Sequence, residues 1–283
     1  MRSVKDILKS NTLASSTSHI DGMSDRNTTT VSPAAGLNQE TTNNIVDTFK
    51  CPLCQDRGIL LEKDIAYPCS CMRTKSLENQ FRHARISREL INCRLDKFRF
   101  DFYSPEMEDQ THHEGATRAL EAAVSFVKEC LRNPHGLGIL YTGPVGSGKT
   151  YLAASIANEL MAANLKVLFL VVPDLLDELR ATYKSEVNEL DLLDTARTIP
   201  ILILDDLGAH NYTDWTRNRL YSIINYRMND QLPTVITSNL SLDEMEDYIG
   251  VRTTSRIIQS SRIFRFTVHK DIRHQIYHER EKK

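Results

Sequence analysis

Gly143-Pro144-Val145-Gly146-Ser147-Gly148-Lys149-Thr150 is the stretch from which the rest of the chain is read. It follows an apolar run, Gly138-Ile-Leu-Tyr141, and opens onto a helix-forming run from Tyr151 to Leu160. Strand, glycine loop and helix is the order that a phosphate-binding P-loop needs. The glycines let the backbone curl so that successive N–H groups point at phosphate oxygens. The helix N-terminus behind them adds its positive dipole end. Lys149 is placed to reach the β- and γ-phosphates, the Thr150 hydroxyl to ligate Mg²⁺, and Tyr151 to follow them on the helix. A Gly-rich turn that merely contains Lys-Thr would not need every motif position filled between a strand and a helix. The chain is expected to bind a nucleotide.

Around that loop the composition is that of a globular protein. Hydrophobic residues make up 41% and charged residues 25% of the 283, enough for one large α/β domain and a small module. With 35 Lys or Arg against 37 Asp or Glu, bulk charge points to no partner, and any basic surface must be local. The strongest apolar run, Val167 to Val172, is strand length and far short of the ~18 residues of a membrane span. The polar N-terminus has no signal-peptide core. A cytoplasmic protein without membrane contact is expected. In a reducing compartment its six cysteines would be thiols or metal ligands.

Before the loop, the chain changes character twice. Between Ser10 and Asn44, 18 of 35 residues are Ser, Thr or Asn, too polar to offset the entropy of ordering. Residues 1–48 are therefore expected to be a disordered tail, either a leader or a tether for a docking peptide. Then come Cys51-Pro-Leu-Cys54 and, after fourteen residues, Cys69-Ser-Cys71. Two close pairs around a short hairpin (Gly58–Leu61, Ile65–Tyr67) suit a tetrahedral four-thiolate Zn²⁺ site, closed to water and so structural. A redox Cys-x-x-Cys is the rival reading, and it lacks a βαβ setting. Cys93 and Cys130 stand alone in apolar surroundings, as buried thiols do.

Residues 73–99 carry eight Lys or Arg against three acids. They are either the solvated face of a helix over Leu77–Leu90 or a contact for nucleic acid or an acidic partner. A zinc module with a basic linker helix is accordingly placed over 49–95. Asp96–Tyr103 is rich in aromatics and could wall a base pocket or simply pack.

From Glu114 on, helices and short apolar strands alternate. Helices are expected over Glu114–Arg132, Pro173–Tyr183, Glu189–Thr198 and Trp215–Asn229. Strands are expected over Lys166–Val172, Ile201–Leu204 and Thr234–Thr237. The pattern predicts an α/β fold, a parallel sheet covered by helices on both faces. Ile201-Leu-Ile-Leu-Asp205-Asp206 is a buried strand ending in two acids, beside the P-loop where open α/β sheets bind ligands. Asp205 would hold Mg²⁺ through its water shell, and Asp206 would orient or deprotonate the attacking water. Val235-Ile-Thr-Ser-Asn239 ends a further strand in a polar amide.

These pieces resemble the DnaC/DnaI replicative helicase loaders of the AAA+ ATPases, the DnaI-like branch with its zinc module above all. The resemblance rests on Gly143–Thr150, Ile201–Gly208, Leu220–Arg227, Pro233–Leu240 and Gly250–Ile257, and extends over about 50–283. It implies an AAA+ domain over 96–283 and slow, switch-like ATP hydrolysis, with Asp206 standing where AAA+ proteins usually carry Glu. It also implies a hexameric replicative helicase and single-stranded DNA as partners, with self-association through AAA+ interfaces. Residue by residue, Asn239 would be sensor 1, Arg252 the arginine finger offered to a neighbour, and Arg273 sensor 2. Arg256 is a second finger candidate. IstB-type transposase helpers have a closely similar core, and the cysteine module favours the loader. A small-molecule P-loop kinase would need a lid and pocket that the sequence does not supply.

Overall fold

The computed structural model describes residues 51–55, 57–62, 65–69, 84–103, 111–182, 186–209 and 212–282. They fall into two compact units, one with the described residues from Cys51 to Cys69 and one with those from Ala84 to Lys282. The expected tail over 1–48, Cys71, and residues 77–83 of the expected basic helix lie outside the described residues.

The smaller unit is built on the expected hairpin. Strands β1 (Ile59–Glu62) and β2 (Ile65–Pro68) pair antiparallel, with Ile59 opposite Pro68. The ladder is extended by Cys69, whose N–H donates to the Gly58 carbonyl at 2.8 Å. Cys51, Cys54 and Cys69 are buried together with Leu60 packed against them.

In the larger unit α1 (Thr111–Arg132) leads into β3 (Gly138–Thr142) and α2 (Lys149–Ala162). Then come β4 (Val167–Val171), α3 (Val172–Thr182), α4 (Glu186–Thr198) and β5 (Ile201–Leu207). α5 (Asp214–Asn229), β6 (Thr234–Ser238), α6 (Leu242–Ile249), α7 (Val251–Ser260), β7 (Ser261–Arg265) and α8 (Ile272–Glu281) complete it. The five strands run parallel in the order β4-β5-β6-β3-β7.

Side-chain alternation along each strand divides the core between the two faces. Ile139, Tyr141, Val167, Phe169, Ile201, Ile203 and Val235 join α1 and α2 in one cluster. Leu140, Leu168, Leu170, Leu202, Leu204 and Ile236 point the other way and pack with α3, α4 and α5. Both faces are covered, which is why the strands read as continuous apolar runs.

The stretch from Ala84 departs from expectation. Residues 84–94 form turns rather than a helix. Several of their carbonyls are taken by tertiary partners, beside local turn bonds such as Leu90 N–H to the Ser87 carbonyl at 3.0 Å. The buried Asn158 amide donates to Leu90, Ile91 and Cys93 carbonyls at 2.8, 3.1 and 2.8 Å. The Ala84 carbonyl accepts from Phe169 N–H at 2.8 Å, along the edge strand β4. Ala84, Ile86, Cys93 and Leu95 are core residues of the larger unit, so 84–95 belongs with the nucleotide domain and not with the cysteine module.

Two short 3-10 turns, Leu95–Lys97 and Asp101–Tyr103, carry the aromatics. Phe98 stacks on Tyr103 at 5.5 Å between ring centroids. Cys93 and Cys130 are buried as expected, and burial pushes the Cys130 thiol up to about 12.

Candidate nucleotide site and cysteine cluster

The P-loop joins β3 to α2, and its glycines are needed for conformation and for room. Gly148 caps α2 at φ 92°, ψ 5°, left-handed backbone that a side chain would strain. Gly146, at φ 69°, lies under the start of α8, where an added methyl group would strike the Asp271 carboxylate. The Ile272 N–H donates to the Gly146 carbonyl at 2.9 Å, fixing α8 to the loop. From the other side the Tyr103 hydroxyl donates to the Ser147 carbonyl at 2.7 Å. The loop is thus held by a preceding turn and a following helix.

Lys149 is buried, its ammonium donating to the Gly143 and Pro144 carbonyls at 2.8 Å each and to Ser147 Oγ at 3.3 Å. Burial pushes it down to about 8, against the pull of Asp206, Asp205 and Asp271. The charge of Arg273, whose N–H is bonded to Asp271 at the start of α8, lowers it further. Val145 is exposed at the loop tip. Tyr151 behaves differently from the other loop residues. Its hydroxyl is engaged by the Arg94 backbone, donating to the carbonyl at 2.9 Å and accepting from the N–H at 3.4 Å.

β6 lies between β3 and β5, so the C-terminal ends of three neighbouring parallel strands meet. Thr150 Oγ1 donates to Asp205 Oδ1 at 2.9 Å across β6, and Thr237 Oγ1 donates to the same oxygen at 2.6 Å. Burial raises the Asp205 carboxyl, and the two hydroxyls pull it back. Asn239 Nδ2 donates to Asp206 Oδ1 at 2.9 Å. A hydroxyl beside a buried carboxylate, with a phosphate cradle adjoining, suits Mg²⁺, which takes one or two protein oxygens plus substrate phosphates and water. Lys149, Thr150, Asp205, Asp206 and Asn239 are brought together. Thr237, Tyr103 and Asp271 belong to the same assembly without having been singled out. Asp271 carried a readable signal: an Asp just before a helix is a preferred N-cap, and it accepts from Arg273 N–H at 2.8 Å.

Arg252 is the second residue of α7, exposed and without an ion pair among the described residues. Arg256 is half-buried, donating to Gln259 Oε1 at 3.3 Å. Much of the basic stretch is internally paired: Arg85 with Glu178 at 2.5 Å, Arg94 with Asp96 at 3.0 Å, Arg99 with Glu279 at 2.8 Å and also with Asp101.

In the smaller unit the sulfurs of Cys51, Cys54 and Cys69 lie within 4.8 Å of one another, all buried. Cys51 Sγ and Cys69 Sγ are 3.7 Å apart, close to the ~3.8 Å edge of a tetrahedron with 2.3 Å Zn–S bonds. Gly58 N–H donates to Cys54 Sγ at 3.3 Å, the kind of outer contact that supports a thiolate ligand. The three residues fit zinc.

A parallel sheet in this order, with a P-loop on one strand and acids and an amide on its neighbours, defines a AAA+ P-loop protein. The family model described as IstB-like ATP binding protein matches residues 73–281, more than half of the chain, and the protein belongs to that family. It is 35% identical to the replicative helicase loader DnaI of Bacillus subtilis (strain 168) over 44% of this chain and 40% of that protein. To the replicative helicase loader DnaC of Escherichia coli (strain K12) it is 25% identical over 65% of this chain and 71% of that one. The crystal structure of DnaI superposes with a TM-score of 0.52 at 28% identity, covering 64% of this chain and 95% of that one. The chain therefore spans well under half the length of the first of these relatives.

Proposed function

We propose that the protein is an ATP-hydrolysing helicase loader, which delivers or activates a hexameric replicative helicase on single-stranded DNA in the cytoplasm. The observation that carries the ATPase part is the meeting of Lys149, Thr150, Asp205, Asp206 and Asn239 at the C-terminal end of the sheet. The loader part is supported by the two relatives, both named as replicative helicase loaders, and by the cysteine cluster ahead of the core.

In this reading the backbone N–H groups from Val145 to Thr150 cradle the phosphates and Lys149 supplies the point charge. Thr150, whose own proton is directed at Asp205, keeps its lone pairs for Mg²⁺ while Asp205 holds the ion's water. Bound Mg²⁺ would neutralise charge on the β- and γ-phosphates. Asp206, oriented by Asn239, takes the proton of the attacking water. A shorter carboxylate than Glu reaches that water less well, which makes hydrolysis slow and switch-like. Arg273 contacts the nucleotide of its own subunit, and Arg252 offers a guanidinium to the ATP of a neighbouring copy. Cys51, Cys54, Cys69 and Cys71 hold structural Zn²⁺ in a module ahead of the nucleotide domain that grips the helicase.

The test is capture of the host's hexameric replicative helicase by the full chain, with and without ATP. Capture that responds to ATP supports the loader. Capture of a transposase instead would transfer the protein to the IstB-like helper reading.

A further inference from the structure

β5 and β6 pair in regular register up to Leu204 opposite Ile236, and again at Leu207 opposite Ser238. Between those points two residues, Asp205 and Asp206, oppose one, Thr237. This is a β-bulge, the device that re-aims side chains at the end of a strand. In a regular strand adjacent residues point to opposite faces, so Asp205 and Asp206 could not both address the loop. Asp206 adopts φ 60°, the left-handed region, and the alternation is undone. Both carboxylates then act on Lys149.

A bulge leaves ladder groups without their usual partners, and here the β6 side chains take them. Thr237 Oγ1 accepts from Asp206 N–H at 2.9 Å and donates to Asp205 Oδ1 at 2.6 Å. Ser238 Oγ donates to the Leu207 carbonyl at 2.7 Å, closing the bulge beyond. Both hydroxyls are fully or almost fully buried, Thr237 at 1% and Ser238 at 0% exposure. Buried away from solvent, the threonine gives its one proton to Asp205 and one of its two lone pairs to the Asp206 N–H.

We propose that Thr237 is a positioning residue of the ATP site: its hydroxyl ties the Asp205 carboxylate to the Asp206 backbone, so that metal-holding and water-activating acids keep one relative geometry. This rests on the ATPase reading above. It predicts a defect specific to Mg²⁺, because the carboxylate that Thr237 orients holds the metal and does not touch the phosphates directly.

The test compares Thr237→Val, which keeps the branched shape and loses both hydrogen bonds, with Thr237→Ser, which keeps the hydroxyl. In the full chain, affinity for a fluorescent ATP analogue is measured with EDTA and with Mg²⁺. In the valine variant we expect affinity in EDTA within about twofold of the parent, and the Mg²⁺-dependent gain reduced at least about tenfold, as for other residues that orient a metal ligand. The serine variant should regain most of it. A valine variant with the parent's Mg²⁺ response overturns the proposal, as does a serine variant as impaired as valine. Thr237→Ala is the second loss variant. If neither valine nor alanine melts cooperatively, the threonine is a folding element and the proposal also falls. A parent chain with no Mg²⁺-dependent gain refutes the ATP reading itself, which is a distinguishable result.

Discussion

Lys149 and Asp206 act at the same C-terminal end of the sheet in different capacities, and their variants should separate. Lys149→Ala removes a charge-assisted contact worth about 1.5–3 kcal/mol, so Mg-ATP affinity should fall roughly tenfold to a hundredfold. Asp206→Asn keeps Thr150 and Asp205, so ATP should still bind while turnover falls about 10²–10⁴-fold, the range for a lost general base. Equal loss of affinity in both would contradict this division.

Lys149 also gives a pH signature. Burial has pushed it down to about 8 in the free protein, and bound phosphates would raise it again. Affinity is then complete below pH 8 and declines as pH rises through that value towards the raised pKa of the complex. Binding at pH 8.5 should take up protons, seen by calorimetry as a heat that varies with the buffer's ionisation enthalpy. A buffer-independent heat would contradict it. The P-loop was legible because its determinants are contiguous in sequence. The bulge at Asp205-Asp206 was not, because it is a property of the register with β6, and nothing local announces φ 60° at Asp206.

Among the elements, α5 contributes a staple that its polar sequence does not advertise. Arg227 is 1% exposed and has no ion pair among the described residues. Its Nη1 donates to the carbonyls of Ala196, Arg197 and Ile199 at 3.1, 3.1 and 2.7 Å. Nη2 reaches Pro200 and Pro233, and Nε reaches Thr234 Oγ1 at 2.9 Å. One guanidinium thus satisfies the last carbonyls of α4 and joins the starts of β5 and β6. Arg227→Met would leave several buried carbonyls unpaired at about 1–3 kcal/mol each, partly offset by relief of an unpaired buried charge. We expect a net loss of at least about 2 kcal/mol and a melting point several degrees lower. An unchanged thermal melt would show that the carbonyls find other partners.

Strands β3 to β6 and helices α1 to α5 were readable to within a few residues from apolar period alone. The elements α6, α7, β7 and α8 were not delimited. α6 did carry a signal in Ser241-Leu-Asp-Glu244, a capping box in which Glu244 N–H donates to Ser241 Oγ at 3.3 Å and Ser241 N–H to Glu244 Oε2 at 2.7 Å. The helix considered over Leu77–Leu90 is absent from its described part, 84–90, and the Asn158 amide takes the Leu90, Ile91 and Cys93 carbonyls from another element. Such capture has no trace in local sequence.

At the scale of the molecule, sequence shows that strands alternate with helices but not their spatial order. That β6 separates the P-loop strand from the acid-bearing strand emerges only on folding, and it is what lets Asn239 reach Asp206. Arg252 is exposed and ion-pair-free among the described residues, and the proposed role is that of a finger directed at another copy. Guanidinium suits that task because its charge is permanent and its planar fork matches phosphate oxygens. Loss of such a finger costs 10³–10⁵-fold in other nucleotide hydrolases, roughly the effect expected for Arg252→Ala on turnover, with ATP binding by the monomer nearly intact.

The most direct measurement mixes Arg252→Ala with Lys149→Ala in the presence of the hexameric helicase, ATP and circular single-stranded DNA. Helicase left on the circles and phosphate released are read together. Each variant alone should deliver almost no helicase, and the mixture should recover part of both signals, because some boundaries pair an intact loop with an intact finger. Failure to recover in a mixture shown to co-assemble would place Arg252 in its own subunit's site or in packing, and no delivery by the unmodified chain would contradict the loader itself.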